Sequence, residues 1–257
     1  MMDLKKNKKT IFLTGGTGLL GTKFLEKLSE KQYTIIYTSR KKNCIKITNK
    51  LLNLGAQGVF HIQADLENEK DLKNIVSQLE LKKMFPDVLI NNARNNNYSK
   101  TDKFGIVSTK NWIGELYMSV ILPYKLSVSL AKMKSSKLNK IINISSFYGV
   151  RVPRMELYDK PEHESIISYG TSKAAMNHLT KELSIRLTNK KISVNAISYG
   201  GIKGKANKKF IRKYSKISPQ NKMIELDEIF GPLEFLISNR SKNINGHNII
   251  VDGGWTV

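Results

Sequence analysis

The chain has 257 residues, with 43 lysines and arginines against 21 aspartates and glutamates, a formal net charge of +22. That length holds one large domain or two small ones, and a composition of 40% hydrophobic and 25% charged residues excludes a mostly disordered chain. Cys44 is the only cysteine, which rules out an intrachain disulfide and a thiolate metal site, so no metal is expected. No apolar run approaches the ~18 residues of a membrane span, and the N-terminus lacks the apolar stretch of a secretory signal. A cytoplasmic protein without membrane partners is the expectation. The basic residues come in short runs such as Lys5-Lys6-Asn7-Lys8-Lys9 and Lys208-Lys209, with no long block of one sign. They read first as a solubilising surface, then as a surface for an acidic partner; nucleic acid is not the expected partner.

In chain order, apolar runs of strand length fall at 10–14, 34–38, 59–62, 88–91, 140–145, 193–197 and 248–251. Helical periodicity fills 19–31, 46–54, 69–83, 109–133, 169–188 and 226–238. Strands that are apolar on both faces, each followed by a crossover helix, belong to a parallel sheet covered on both sides. The expected fold class is therefore α/β: a single doubly wound Rossmann domain over 1–257, with a seven-stranded parallel sheet and helices on both faces. Segments 147–167 and 200–222 fit the alternation poorly. Both follow strand ends where such sheets bind ligands, which makes them candidate substrate loops.

The first strand runs into Thr14-Gly15-Gly16-Thr17-Gly18-Leu19-Leu20-Gly21. Glycines let backbone approach a diphosphate, and the helix that follows offers free N–H groups at its start. In this βαβ context Gly15, Thr17, Gly18, Leu20 and Gly21 are candidate dinucleotide-binding residues. The second strand ends in Ser39-Arg40-Lys41-Lys42. A carboxylate there favours NAD, whereas a guanidinium pairs with a 2′-phosphate. Ser39 and Arg40 thus point to NADP(H), with NAD(H) remaining possible.

Tyr169-Gly170-Thr171-Ser172-Lys173 opens a helix and sets Tyr169 and Lys173 four residues apart on one face. An ammonium beside a phenol stabilises phenolate, moving a tyrosine from about 10 toward the range of acid/base work. Such a pair exchanges a proton with an alcohol or a carbonyl. Upstream, Ile144-Ser145-Ser146 ends one strand with hydroxyls at its tip, and Asn91-Asn92-Ala93 ends the strand before it.

These motifs, in this order, resemble the short-chain dehydrogenase/reductase family over nearly the whole chain. Asp65-Leu66 after the third strand, Asn195 in the sixth and Asp252-Gly253-Gly254 after the last complete the likeness. The resemblance implies hydride transfer between a nicotinamide and a carbonyl or alcohol carbon. It implies Tyr169 as acid/base and as a cofactor contact, Ser146 (with Ser145 as the alternative) on the substrate oxygen, and Lys173 on the tyrosine and the nicotinamide ribose. Asp65 and Leu66 would lie beside the adenine, Asn91 and Ala93 near its ribose, and Gly200 and Ile202 near the nicotinamide. Homodimers or homotetramers are implied too, through helices that carry Leu126, Leu130, Leu179 and Leu183; packing into the chain's own core explains those leucines equally well.

The departures are specific. The glycine turn has the spacing of the family's extended branch, while the length and the other motifs fit the compact branch. Arg94 follows Asn-Asn-Ala where a glycine is usual, and Ser119 stands at the usual active-site asparagine, where it could still order a water. Tyr199-Gly200-Gly201 replaces Pro-Gly, and Gly204 replaces a threonine. The 23 residues from Ser146 to Tyr169 exceed the family spacing and contain Arg151, Arg154, Tyr158, Lys160 and His163. Downstream lie Lys203, Lys205, Lys208, Lys209, Arg212 and Lys213. Two basic segments over one site favour an anionic small-molecule substrate. Ser146-Phe147-Tyr148-Gly149-Val150, the long insert and Asp252-Gly253-Gly254-Trp255 are similar to oxidoreductases of flagellin glycosylation and sialic-acid-like sugar pathways, which implies an amino-sugar, nucleotide-sugar or nonulosonate-pathway substrate. A 3-oxoacyl carrier-protein reductase is the alternative within enzymes, and a catalytically silent dinucleotide-binding scaffold or sensor is the alternative outside them.

Overall fold

The computed structural model describes residues 9–204 and 206–257. Seven strands, β1 (Thr10–Leu13), β2 (Thr34–Ser39), β3 (Gly58–Gln63), β4 (Val88–Asn91), β5 (Lys140–Ser146), β6 (Ser193–Tyr199) and β7 (Asn248–Val251), form one sheet. Its order is β3-β2-β1-β4-β5-β6-β7 and every pairing is parallel. Alternation along each strand builds two cores. Ile11, Leu13, Ile35, Ile90 and Ile144 face helices α1 (Leu19–Glu30) and α9 (Phe230–Ile237), through Phe24, Leu28, Leu233 and Ile237. Phe12, Ile36, Leu89, Ile141 and Val194 face α3 (Glu69–Leu81), α5 (Leu122–Lys132) and α7 (Ile167–Arg186), through Ile75, Leu126 and Leu183. With both faces covered, this is the doubly wound sheet expected from the apolar strands. The strand order reverses between β1 and β4, and the carboxyl ends of those strands open a crevice for a ligand.

The remaining helices are α2 (Ile45–Asn53), α4 (Thr109–Leu116), the single turn α6 (Pro161–Glu164) and α8 (Lys208–Ile217). Three elements differ from the sequence expectation, each for a local reason. The helix expected over 109–133 is interrupted by a π turn at Tyr117–Ile121, where Leu122 N–H reaches back five residues to the Tyr117 carbonyl. Pro123 has no N–H to give the Ser119 carbonyl, so the α ladder cannot continue there and the helix widens. Segment 200–222, expected to be irregular, contains α8. Asn207 caps it by accepting from Phe210 N–H, and Phe210, Ile211, Tyr214 and Ile217 form its inner face. The lysines on the opposite face concealed that periodicity. Helix α9 begins at Phe230, four residues later than expected.

The long insert after β5 is packed rather than loose. Phe147, Leu157, Tyr214, Met223 and Trp255 make a third, small core, against which Tyr148, Tyr158 and Phe210 rest. Tyr214 and Trp255 stack at 4.2 Å between ring centroids. Among the described residues no helix is long and apolar enough to cross a membrane.

Candidate active site

A cavity of about 540 Å³ opens at the strand-order reversal. Its floor begins at the glycine turn. Thr14 Oγ1 accepts from the N–H groups of Asn92 and Ala93, at 2.9 and 3.0 Å, fastening the end of β1 to the end of β4. Gly15 has φ +71°, and a Cβ there would lie 2.8 Å from Ala93 Cα; a Cβ on Gly21 would lie 2.2 Å from the Gly15 carbonyl oxygen. These positions exclude side chains and keep backbone at the surface of the crevice. Gly18 precedes α1 without a side-chain cap, so the first-turn N–H groups and the positive end of the helix face the cavity. This is the donor set a diphosphate requires, and the turn fits a dinucleotide cofactor.

Of the residues singled out in the sequence, Gly15, Thr17, Gly18, Leu20, Gly21, Ser39, Arg40, Asp65, Leu66, Ala93, Ser146, Tyr169, Lys173, Gly200 and Ile202 all line this one cavity. Asn91 and Ser119 do not. Asn91 Nδ2 donates to Asn143 Oδ1 at 2.8 Å, and Asn143 Nδ2 donates to Thr180 Oγ1 at 2.9 Å, a buried ladder tying β4 to β5 and α7. Ser119 lies within the π turn, 2% exposed, with its hydroxyl taken by Ser172 Oγ at 3.3 Å. Its neighbour Met118 lines the cavity instead.

At the other end of the cavity the tip of β5 meets the first turns of α7. Ser145 Oγ donates to the Lys173 carbonyl at 3.4 Å, whereas Ser146 Oγ accepts from Tyr148 N–H at 3.2 Å and keeps its own proton free to donate. Lys173 Nζ donates to the Ile144 carbonyl at 2.9 Å and lies 5.9 Å from the Tyr169 ring centroid. Burial pulls the Lys173 ammonium down to about 7; the charge of Arg94 adds to that pull, and Glu115 opposes it. Glu67, Asn95 and Asn96 also line the cavity and were not anticipated. Glu67 accepts from Tyr98 OH and, at 2.6 Å, from Asn95 Nδ2. Polar residues in a loop after a strand carry no periodic signal, so their convergence is a product of the tertiary fold.

None of the expected basic residues of the two segments lines the cavity among the described residues; Lys205 lies outside them. Lys209 and Lys213 both pair with Asp159, at 2.7 and 2.9 Å, and Lys203 pairs with Glu225 at 2.8 Å. Arg151 donates to the Thr256 carbonyl at 2.8 Å, and the Arg154 guanidinium sits 5.4 Å from the Trp255 ring. Much of that charge therefore fastens insert, α8 and C-terminus to one another. Leu126, Leu130 and Leu183 are spent on the chain's own core.

A parallel doubly wound sheet with a glycine-cradled crevice, and with a serine, a tyrosine and a lysine at its far wall, defines a dinucleotide-dependent dehydrogenase or reductase. A family model described as enoyl-(acyl carrier protein) reductase matches residues 20–256, and the chain belongs to the short-chain dehydrogenase/reductase family. It is an oxidoreductase acting on a CH–OH or C=O carbon with a nicotinamide dinucleotide. The chain is 27% identical to post-translational flagellin modification protein A of Campylobacter coli, covering 96% of this chain and 98% of that protein. It is 28% identical to a 3-oxoacyl-(acyl-carrier-protein) reductase of Buchnera aphidicola, covering 98% of each. Among solved structures, a short-chain dehydrogenase of Leptospira borgpetersenii with bound NAD+ superposes with a TM-score of 0.85 at 28% identity, covering 100% of this chain and 98% of that one.

Proposed function

We propose that the chain is an NADP(H)-dependent oxidoreductase transferring hydride between the nicotinamide and a carbonyl or alcohol carbon of a sugar, nucleotide-sugar or nonulosonate-pathway substrate; the anionic character expected from the two basic segments has no support in the cavity lining among the described residues. The observation that carries this reading is the convergence of Ser146, Tyr169 and Lys173 on the same cavity as the glycine turn and Arg40. The bound nicotinamide supplies the hydride donor or acceptor. The chain's own residues do the rest. Ser146 Oγ donates to the substrate oxygen, Tyr169 OH gives or takes the proton on that oxygen, and Lys173 supplies charge and a ribose contact. Ser119 and Ser172 brace the start of α7 rather than meeting substrate, and Asn91 braces β4 from beneath the adenosine end.

Arg40 lines the cavity at the end of β2, and a guanidinium in that place suits a 2′-phosphate. The sugar-pathway reading is supported by the similarity to the flagellin modification protein and by the packed insert beside the site. The 28% identity to a 3-oxoacyl carrier-protein reductase supports a second reading, reduction of an oxoacyl thioester. In this reading the chain is a cytoplasmic single-domain protein that assembles as a homodimer or homotetramer, and light scattering on the purified protein checks the assembly. A thermal-shift and turnover screen decides the substrate: NADPH raises the melting temperature more than NADH, and keto-sugars are reduced. Efficient reduction of oxoacyl thioesters with keto-sugars ignored would replace the first reading by the second, and binding without turnover on any carbonyl would favour a silent sensor.

A further inference from the structure

Arg94 follows Asn91-Asn92-Ala93 and turns back over the cavity that Tyr169 and Lys173 line. Its guanidinium carbon is 3.9 Å from the centroid of the Tyr169 ring, well inside cation–π range. Arg94 Nη2 donates to Ser99 Oγ at 2.6 Å and pairs with Glu115 Oε1 at 3.3 Å. Ser99 Oγ donates in turn to that same carboxylate oxygen at 2.6 Å. Glu115 comes from α4 and is only 1% exposed, and its Oε2 has no hydrogen-bond partner among the described residues. A carboxylate is costly to bury unless it is paired. The guanidinium that it fixes against the ring accounts for its presence there.

Lys173 complements this arrangement. Its ammonium is pulled down to about 7, by burial first and by the charge of Arg94 second. A guanidinium does not titrate in that range. Arg94 from the loop after β4 and Lys173 from α7 face the ring, Glu115 from α4 pairs with Arg94, and Tyr148 and Tyr158 from the insert, whose hydroxyls lie 2.6 Å apart, interact electrostatically with Tyr169.

We propose that Arg94, clamped by Ser99 and Glu115, is a positioning residue for Tyr169, which fixes the ring plane and keeps a constant positive charge against the ring face. This rests on Tyr169 being the proton-transfer residue. A permanent charge on the ring face favours the form of the phenol whose oxygen carries negative charge. It adds a second cation where the usual arrangement relies on the lysine.

The test needs no substrate. The full chain is labelled with carbon-13 at tyrosine Cζ, the Tyr169 signal is assigned by its loss in Tyr169→Phe, and its ionisation is followed by NMR against pH. In Arg94→Met, which keeps the apolar stem of the side chain, the midpoint rises by about half to one pH unit, with gain of charge at Lys173 offsetting the remainder. Arg94→Lys, which keeps the charge without the planar fork, recovers at least part of that rise. A midpoint in Arg94→Met that coincides with wild type or falls below it overturns the proposal, and so does an Arg94→Lys midpoint equal to that of Arg94→Met. Should Arg94→Met fail to fold, Arg94→Gly replaces it under the same criteria. Turnover surviving in Tyr169→Phe would instead remove the proton-transfer reading, which this titration does not measure.

Discussion

The two ends of the cavity are made differently. At the end proposed for the cofactor, the wall is mostly backbone: the turn from Thr14 to Gly21, the uncapped start of α1 and the tips of β1 and β4, drawn together by one threonine hydroxyl. At the end proposed for the substrate, side chains make the wall: Ser146, Tyr169 and Lys173, with the Arg94–Glu115 pair beside them and an insert pinned to α8 through Asp159. Backbone sites tolerate almost no added atoms but are indifferent to side-chain chemistry. Side-chain sites are the reverse, and the same fold can therefore keep its cofactor while its substrate changes.

The sharpest way to separate the two ends is Tyr169→Phe. Turnover falls by about 10²–10⁴, the usual value of a positioned acid/base, while NADPH affinity stays within about a factor of two. Next comes Arg40→Ser, expected to weaken NADPH binding by roughly tenfold or more through loss of a charge-assisted contact, with NADH affinity unchanged; equal losses for both cofactors would deny the 2′-phosphate contact. Asp159→Ala frees Lys209 and Lys213 and loosens α8 from the insert. These are exposed pairs, so KM rises by only about two- to fivefold at constant kcat, as steady-state kinetics would register. The smallest effect lies away from both ends. Lys140, buried with Ser241 as its hydrogen-bond partner at 2.9 Å, is pulled down to about 8 by burial and secondarily by Lys9. Its folded value lies below its unfolded one, so its cost is full below pH 8 and fades as pH climbs toward 10.5. Lys140→Met accordingly gains about 2–4 °C in Tm at pH 6.5 and less at pH 9; an equal gain at both values would contradict the assignment.

The same contrast governs what could be seen in the sequence. All seven strands and the glycine turn were legible: burial on both faces leaves unbroken apolar runs in inner strands such as β4, β5 and β6, the half-exposed edge strands β3 and β7 still carry short apolar runs, and tight backbone turns demand glycine. Tyr169 and Lys173 can be paired from their spacing on one helix face, whereas Ser146 is chosen over its neighbour Ser145 only through the family spacing to Gly149. The π turn around Ser119 was not, since a single proline late in an apolar helix shows only that something must give. Helix α8 was hidden by its lysine-rich face, and Asp159 by lying in a loop 50 residues before its partner Lys209. Arg94 was visible as an anomaly after Asn-Asn-Ala, but its stacking on Tyr169 depends on Ser99 and Glu115, which only the folded chain brings beside it.

Fluorescence titration of NADPH into Gly21→Ala and Tyr169→Phe, side by side with wild type, tests the division directly. A Cβ at position 21 would fall 2.2 Å from the Gly15 carbonyl oxygen, so Gly21→Ala loses NADPH binding, while Tyr169→Phe binds as wild type and, in a parallel turnover assay, is slowed by about 10²–10⁴. NADPH binding intact in Gly21→Ala, or turnover intact in Tyr169→Phe, would contradict the account.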